Sequence, residues 1–208
     1  MNEDYYLYTK KLFKRWAPLY NLMELFIAPV RLQVVELIHG QQGLKILDVA
    51  TGTGKQAFAF AKKGYDVVGI DLSEDMLEIA HRMNKYDNVE FTVADATKIP
   101  FDDNCFDVTC ISLALHDMPL SIRKKVLSEM VRVTQSVGTI AIIDYTLPKT
   151  RIWRILIYHI IRLYESKYYA DFIKSDVYTL LQESGIQIQK VYPMMLSSLR
   201  IIIGVKKP

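Results

Sequence analysis

The sequence predicts an open, doubly wound α/β sheet, seven-stranded and mostly parallel, with helices before it and a helical insertion after its fifth strand. Three observations carry this. The apolar run of LKILDVATGTG, Leu44–Gly54, breaks off in a glycine pair and is followed at once by a helical pattern. A second apolar run, Val67 to Ile70, ends in Asp71, seventeen residues after Gly54. Further strand-like runs then recur with polar residues at their ends, as expected where parallel strands deliver groups to one edge of a sheet.

From Tyr5 to His39 apolar and aromatic residues recur at helical spacing, and Pro18 and Pro29 divide them into two or three short helices. The first strand stops in Thr51-Gly52-Thr53-Gly54, where glycine lets the backbone turn sharply and approach a ligand. A helix starting near Lys55 turns Ala57, Phe58, Phe60 and Ala61 inward, so its free N–H groups stand beside that loop. Asp71 at the tip of the second strand is placed to hold ribose hydroxyls. Ser73 caps a helix over Glu74–Asn84, with Glu74 and Asp75 in its first turn. Val89 to Val93 is a third strand that brings Asp95 and Ala96 to the same edge. Asp107 to Leu113 is a fourth, with Ser112 near its end, and ALHDMP follows. Leu120 to Val133 reads as an amphipathic helix with Val126, Leu127, Met130 and Val133 inward and Arg123, Lys124, Lys125 and Glu129 outward. Gln135 to Gly138 forms a turn before the fifth strand, Thr139 to Asp144.

Between Thr150 and Phe172 the charged positions Arg151, Arg154, Arg162 and Glu165, with Tyr158, form one stripe, leaving a wide apolar arc. The arc predicts either simple burial against the N-terminal helices or a helix packed on the sheet on one side and on a substrate, a subunit or a lipid surface on the other. Ser175 to Ser184 is a last helix, ended by Gly185. Ile186 to Tyr192 and Leu199 to Val205 close the sheet as an antiparallel pair. The chain is one domain: a helical cap (1–40), a cofactor-binding core (44–144), a helical insertion (146–172) and a closing helix with antiparallel strands (173–208).

The glycine loop binds a nucleoside. Gly52, Gly54 and Ala57 satisfy G-x-G-x-x-A, which leaves a nicotinamide-dependent oxidoreductase open. The loop is preceded by Asp48 in the order D-x-A-x-G-x-G, and VADATKIPFDDNCFDV and ISLALHDMP follow at the spacing of further strand ends. Taken together these segments resemble the class I S-adenosylmethionine-dependent methyltransferases. Within them the sequence is most similar to the branch of ubiquinone and menaquinone C-methyltransferases and phospholipid N-methyltransferases, from about Phe13 to Asp144.

The resemblance implies a Rossmann-like sheet, S-adenosylmethionine as cofactor and S-adenosylhomocysteine as product. It places Asp48, Ala50, Thr51, Gly52, Thr53, Gly54, Asp71, Leu72, Asp95, Ala96 and Ser112 at the cofactor. Within that set Asp95 faces the adenine amine and Ala96 offers a backbone N–H to the ring. Tyr20, in an N-terminal helix that folds over the cofactor, is a further contact. Relatives carry Lys-Pro-Gly-Gly where this chain has Gln135-Ser136-Val137-Gly138, which implies a changed loop with the same chemistry.

Methyl transfer from a sulfonium needs positioning and exclusion of water more than a metal or a catalytic triad. A general base is required only if the nucleophile is a phenol, an enol carbon or an ammonium. His116 is the candidate base, and Asp117, Asp144 and Tyr145 near the same edge can orient substrate. A catalytically silent nucleoside-binding module is the other alternative to an enzyme. Phosphoryl transfer is excluded, because Gly54-Lys55-Gln56 lacks the Ser or Thr that a phosphate loop places after its Lys.

Composition bounds the remaining choices. Residues 1–144 carry 16 Lys/Arg against 19 Asp/Glu, while 145–208 carry 10 against 4, so the last third is basic. That asymmetry fits a solvated face or an acidic partner such as an anionic lipid surface, and is too weak for nucleic acid. Cys105 and Cys110, with no second pair, predict neither a metal centre nor a disulfide framework. The start MNEDYYLYTK lacks a signal-peptide pattern and no apolar stretch is long enough to span a bilayer, which predicts a cytoplasmic protein with room for peripheral membrane contact. The acceptor is small or lipid-like, of quinol or phospholipid type, and a homodimer stays open.

Overall fold

The protein is described by a computed structural model over residues 27–38, 43–162 and 165–207. Helix α1 (27–37) is followed by β1 (Lys45–Val49), α2 (Lys55–Lys62), β2 (Asp66–Asp71), α3 (Glu74–Met83), β3 (Val89–Val93) and β4 (Phe106–Ser112). Then come α4 (Leu120–Val133), β5 (Thr134–Tyr145), α5 (Arg151–Arg162), α6 (Tyr169–Lys174), α7 (Val177–Glu183), β6 (Ile186–Met194) and β7 (Leu199–Lys206). The seven strands form one sheet in the order β3-β2-β1-β4-β5-β7-β6. Only β7 runs against its neighbours β5 and β6. The chain leaves β1 toward β2 and later returns to β4 on its other side, so the sheet has its switch point between β1 and β4, where such folds bind ligands.

The inner strands read as apolar runs because both of their faces are covered. Ile46, Leu47 and Val49 of β1 and Cys110 and Ile111 of β4 are fully buried. Val30, Val34, Val35 and Ile38 seat α1 on this core, and Tyr65 donates its hydroxyl to the Ile38 carbonyl at 3.2 Å. Ser73 caps α3 as expected, its Oγ accepting from the Met76 amide at 3.3 Å.

Two expectations around α4 and β5 are corrected. Gln135 to Gly138 is no turn: β5 starts directly at Thr134, which pairs with Phe106 before the register shifts to Val108↔Thr139. Gly138 is needed there for room, since a Cβ on it would lie 2.6 Å from Thr134 Cγ2 and 2.8 Å from the Asp107 carbonyl. Arg123 of α4 faces inward. It is completely buried, donating from Nε to the Leu115 carbonyl (3.0 Å) and from Nη2 to the Tyr168 carbonyl (3.4 Å), with Asp171 3.2 Å from Nη1.

The insertion is two helices, α5 and α6, and α5 turns inward the side that carries Ile157, Tyr158 and Ile161, which takes in only part of the stripe read as polar. Ile161 is its one buried side chain, and Tyr158 stacks on Tyr169 with ring centroids 6.0 Å apart. Arg154 folds back onto the carbonyls of Pro148 and Lys149. Ile152, Trp153, Ile155, Leu156 and Ile160 face outward instead. The last helix is shorter than expected: α7 starts at Val177, where the Asp176 carboxylate accepts from the Tyr178 and Thr179 amides. At the far edge of the sheet, β6 shifts register between Ile188 and Lys190 and contains Pro193.

Candidate active site

The tips of β1, β2, β3 and β4 surround one cavity of about 420 Å³, within the range of small-molecule sites. Its floor is the loop after β1. Ala50 adopts φ +54° and Gly52 φ +55°, and Leu113 past the end of β4 has φ +54°. Two non-glycine residues in the left-handed region, Ala50 and Leu113, thus flank the switch point, where strain collects in ligand sites. A Cβ on Gly52 would meet nothing within 4 Å, so its backbone presents an open face to the cavity. Gly54 stands behind the loop, where a Cβ would lie 2.6 Å from the Phe91 ring, and it does not line the cavity.

Acids fix this loop. Asp71 accepts from the Gly52 amide at 2.8 Å and from the Ser73 amide at 2.9 Å. Burial raises its pKa, and those two amides oppose the rise. Asp48 is buried beneath and accepts from Thr51 Oγ1 at 2.5 Å. Burial pushes it up to about 6 despite the Thr51 bond and the Arg31 charge. Asp95 is held through Oδ1 by the amide and hydroxyl of Thr97, both at 2.8 Å.

Beyond the β4 tip lies a second charged group. His116 is buried, with Nδ1 2.7 Å from Asp144 Oδ1, Nε2 3.0 Å from Glu165 Oε2 and 3.5 Å from Asp117 Oδ2. Tyr145 donates its hydroxyl to Glu165 Oε1 at 2.7 Å. Burial alone would neutralise the ring, but the charges of Asp117, Asp144 and Glu165 and the Asp144 bond outweigh it and hold its pKa well above the ordinary value. His116 is therefore an imidazolium near neutral pH and has no lone pair to take a proton. It does not line the cavity; Asp117 does. His116, expected as the general base, therefore lies behind Asp117 and outside the cavity lining. Asp117 is buried, its Oδ1 has no hydrogen-bond partner, and burial first and Glu165 next raise it to about 6 against the pull of His116 and Ser166. Among the described residues His116, Asp117 and Glu165 are the one group with ligand atoms close enough for a metal, within 4.8 Å.

A methyltransferase-domain family matches residues 46–138. A demethylmenaquinone methyltransferase of Paenarthrobacter aurescens is 37% identical over 58% of this chain and 46% of its own length. A demethylmenaquinone methyltransferase of Listeria welshimeri is 32% identical over 84% of this chain and 78% of its own. The chain belongs to the class I S-adenosylmethionine-dependent methyltransferases of the menaquinone branch. A SAM-dependent methyltransferase from Aquifex aeolicus shares the fold, with a TM-score of 0.67 at 24% identity, covering 88% of this chain and 92% of that one. The chain spans about half the length of the first curated relatives it matches, 46%, 47% and 43% of them.

For a methyltransferase of this class, the sequence located the cavity well. Asp48, Ala50, Thr51, Gly52 and Thr53 line it, as do Asp71, Leu72, Asp95, Ala96 and Ser112. Tyr20 lies outside the described residues. Sequence reasoning missed Arg31, whose Nη1 is 3.5 Å from Ser112 Oγ, and Gln56, whose buried Oε1 has no partner. The helical phase of α1 and α2 was the only available signal for either.

Proposed function

We propose that the protein transfers a methyl group from S-adenosylmethionine to a small apolar acceptor of reduced quinone type. The observation that carries this reading is the convergence of the Gly52 loop, Asp71, Asp95 and the buried Asp117 on one cavity. When bound, S-adenosylmethionine supplies a methyl carbon already activated by a sulfonium. Asp71, anchored by two amides, keeps lone pairs for ribose hydroxyls. Asp95, steadied by Thr97, offers its carboxylate to the adenine amine, and Ala96 its backbone N–H to a ring nitrogen. The Arg31 guanidinium suits the carboxylate of the amino-acid tail. Fit is supported by the open face of Gly52 and by the unpartnered Gln56 Oε1 and Asp117 Oδ1.

The acceptor half of the reading rests on the relatives named demethylmenaquinone methyltransferase and on the apolar wall of Ile27, Met118 and Ile122 beside Asp117. Asp117 accepts the proton of a quinol hydroxyl, the O–H electron pair enters the ring, and a ring carbon becomes the nucleophile. When bound, S-adenosylmethionine would supply the methyl that this carbon takes; the carbon's own proton would then leave to solvent while Asp117 returns its proton to the oxygen, which restores the aromatic quinol. His116 stays charged and orients Asp117. No separate leaving-group acid is needed, because the departing thioether is neutral.

Calorimetry with S-adenosylhomocysteine, followed by mass spectrometry of a reduced naphthoquinone incubated with S-adenosylmethionine, tests both halves. The expected results are binding that Asp71→Ala abolishes and a product heavier by one methylene. Unchanged binding in Asp71→Ala would sink the site; binding without any methylated quinol would sink the acceptor.

A further inference from the structure

The outward face of α5 is unusual for a short amphipathic helix. Ile152 is 77% exposed, Trp153 and Ile155 53%, Ile160 49% and Leu156 46%. Successive residues turn by about 100°, so these five form one arc, interrupted only by His159, which is exposed as well. Scattered exposed apolar residues need no explanation, but a continuous patch does. The opposite face is fully engaged, through Ile161, the Tyr158–Tyr169 stack and the Arg154 bonds. Among the described residues nothing covers the arc.

We propose that α5 docks the protein on an anionic lipid surface, lying in the plane of the interface with this arc among the acyl chains. Charge selects this occupant. Arg151 and Arg162, both exposed, border the arc on one side, and α5 contains no acidic residue. The surrounding segment, residues 145–208, carries 10 Lys/Arg against 4 Asp/Glu. A copy of the same basic surface would repel it, whereas anionic headgroups attract it. Twelve residues are too few to cross a bilayer, and among the described residues no helix is long and apolar enough to do so. Docking therefore means lying on the membrane. The inference stands on exposure and charge alone and does not depend on the identity of the acceptor.

The full chain carries two tryptophans, Trp16 and Trp153, so Trp16→Phe leaves one reporter inside the arc. This protein is mixed with vesicles of phosphatidylglycerol and phosphatidylcholine, or of phosphatidylcholine alone. Expected are cosedimentation with the anionic vesicles and a blue shift of emission, with binding weaker by about tenfold or more on neutral vesicles and in high salt. Ile152→Glu with Leu156→Glu should abolish both signals while leaving S-adenosylhomocysteine binding intact. Ile160→Asp gives the same readout should the double variant fail to fold. The proposal is overturned if the protein ignores anionic vesicles, if the variants bind them as well as the parent, or if sedimentation gives a dimer that the arc variants dissolve and that does not bind lipid.

Discussion

His116 and Asp117 are adjacent in the chain and opposite in behaviour: one is held charged by surrounding carboxylates, the other is burdened by its burial. Asp117 takes a proton only when ionised, so the rate of methyl transfer should rise with pH through about 6 and level off above it. Asp117→Asn should lower kcat roughly 100-fold, leave S-adenosylhomocysteine affinity unchanged and remove that rising limb. A pH profile of single-turnover rates checks this. His116 makes a different contribution. Its folded pKa lies above its unfolded one, so the stability it confers is complete below pH 6.5 and is lost as pH climbs through the raised folded value. Urea melts should therefore show a larger gap between parent and His116→Gln at pH 6 than at pH 9. The sequence singled out this pair, and the fold puts Asp117, not His116, on the cavity wall. Asp144 and Glu165, which with Asp117 hold the charge of the ring, are 28 and 49 residues away and reach it only through the fold.

At the scale of elements, β1, β2 and β4 were legible to within a residue at each end, because a strand covered on both faces must be apolar throughout. Periodicity located α4 and α5 as well, but it specifies a face and not what that face meets. Arg123 was read as outward because an arginine usually is. Its partners are carbonyls at Leu115 and Tyr168, which pattern cannot reveal. Asp171 is exposed, so the ion pair adds little. Both carbonyls keep a backbone donor, the Met118 amide on Leu115 and the Phe172 amide on Tyr168, so the cost of Arg123→Met should come from the lost hydrogen bonds of the charged guanidinium, about 1.5–3 kcal/mol by denaturant melt. Gly138→Ala tests the β5 irregularity. Two fixed neighbours crowd the new methyl, the Asp107 carbonyl being backbone, so a loss of about 1–3 kcal/mol is expected with the cofactor site unaffected.

For the whole molecule, strand order decides function more than any single side chain. The β1–β4 neighbourhood opens the crevice, and residues from five separate segments of the sequence meet there. The half of that crevice lined by Gly52, Asp71 and Asp95 was legible because these residues sit at fixed offsets from strand ends. The half beside Asp117 was not, since α1, α4 and the stretch around Glu165 converge on it from unrelated parts of the chain.

The outermost strand, β6, bears on how copies of the molecule meet. Pro193 deletes one amide from a rim that otherwise invites an incoming strand, and the displacement at Ile188–Lys190 bends the rim out of line. Continuous sheets running from one molecule into the next are thereby discouraged on this flank. Pro193→Thr should restore the missing donor, and light scattering on concentrated samples would then register slow clustering that the parent resists.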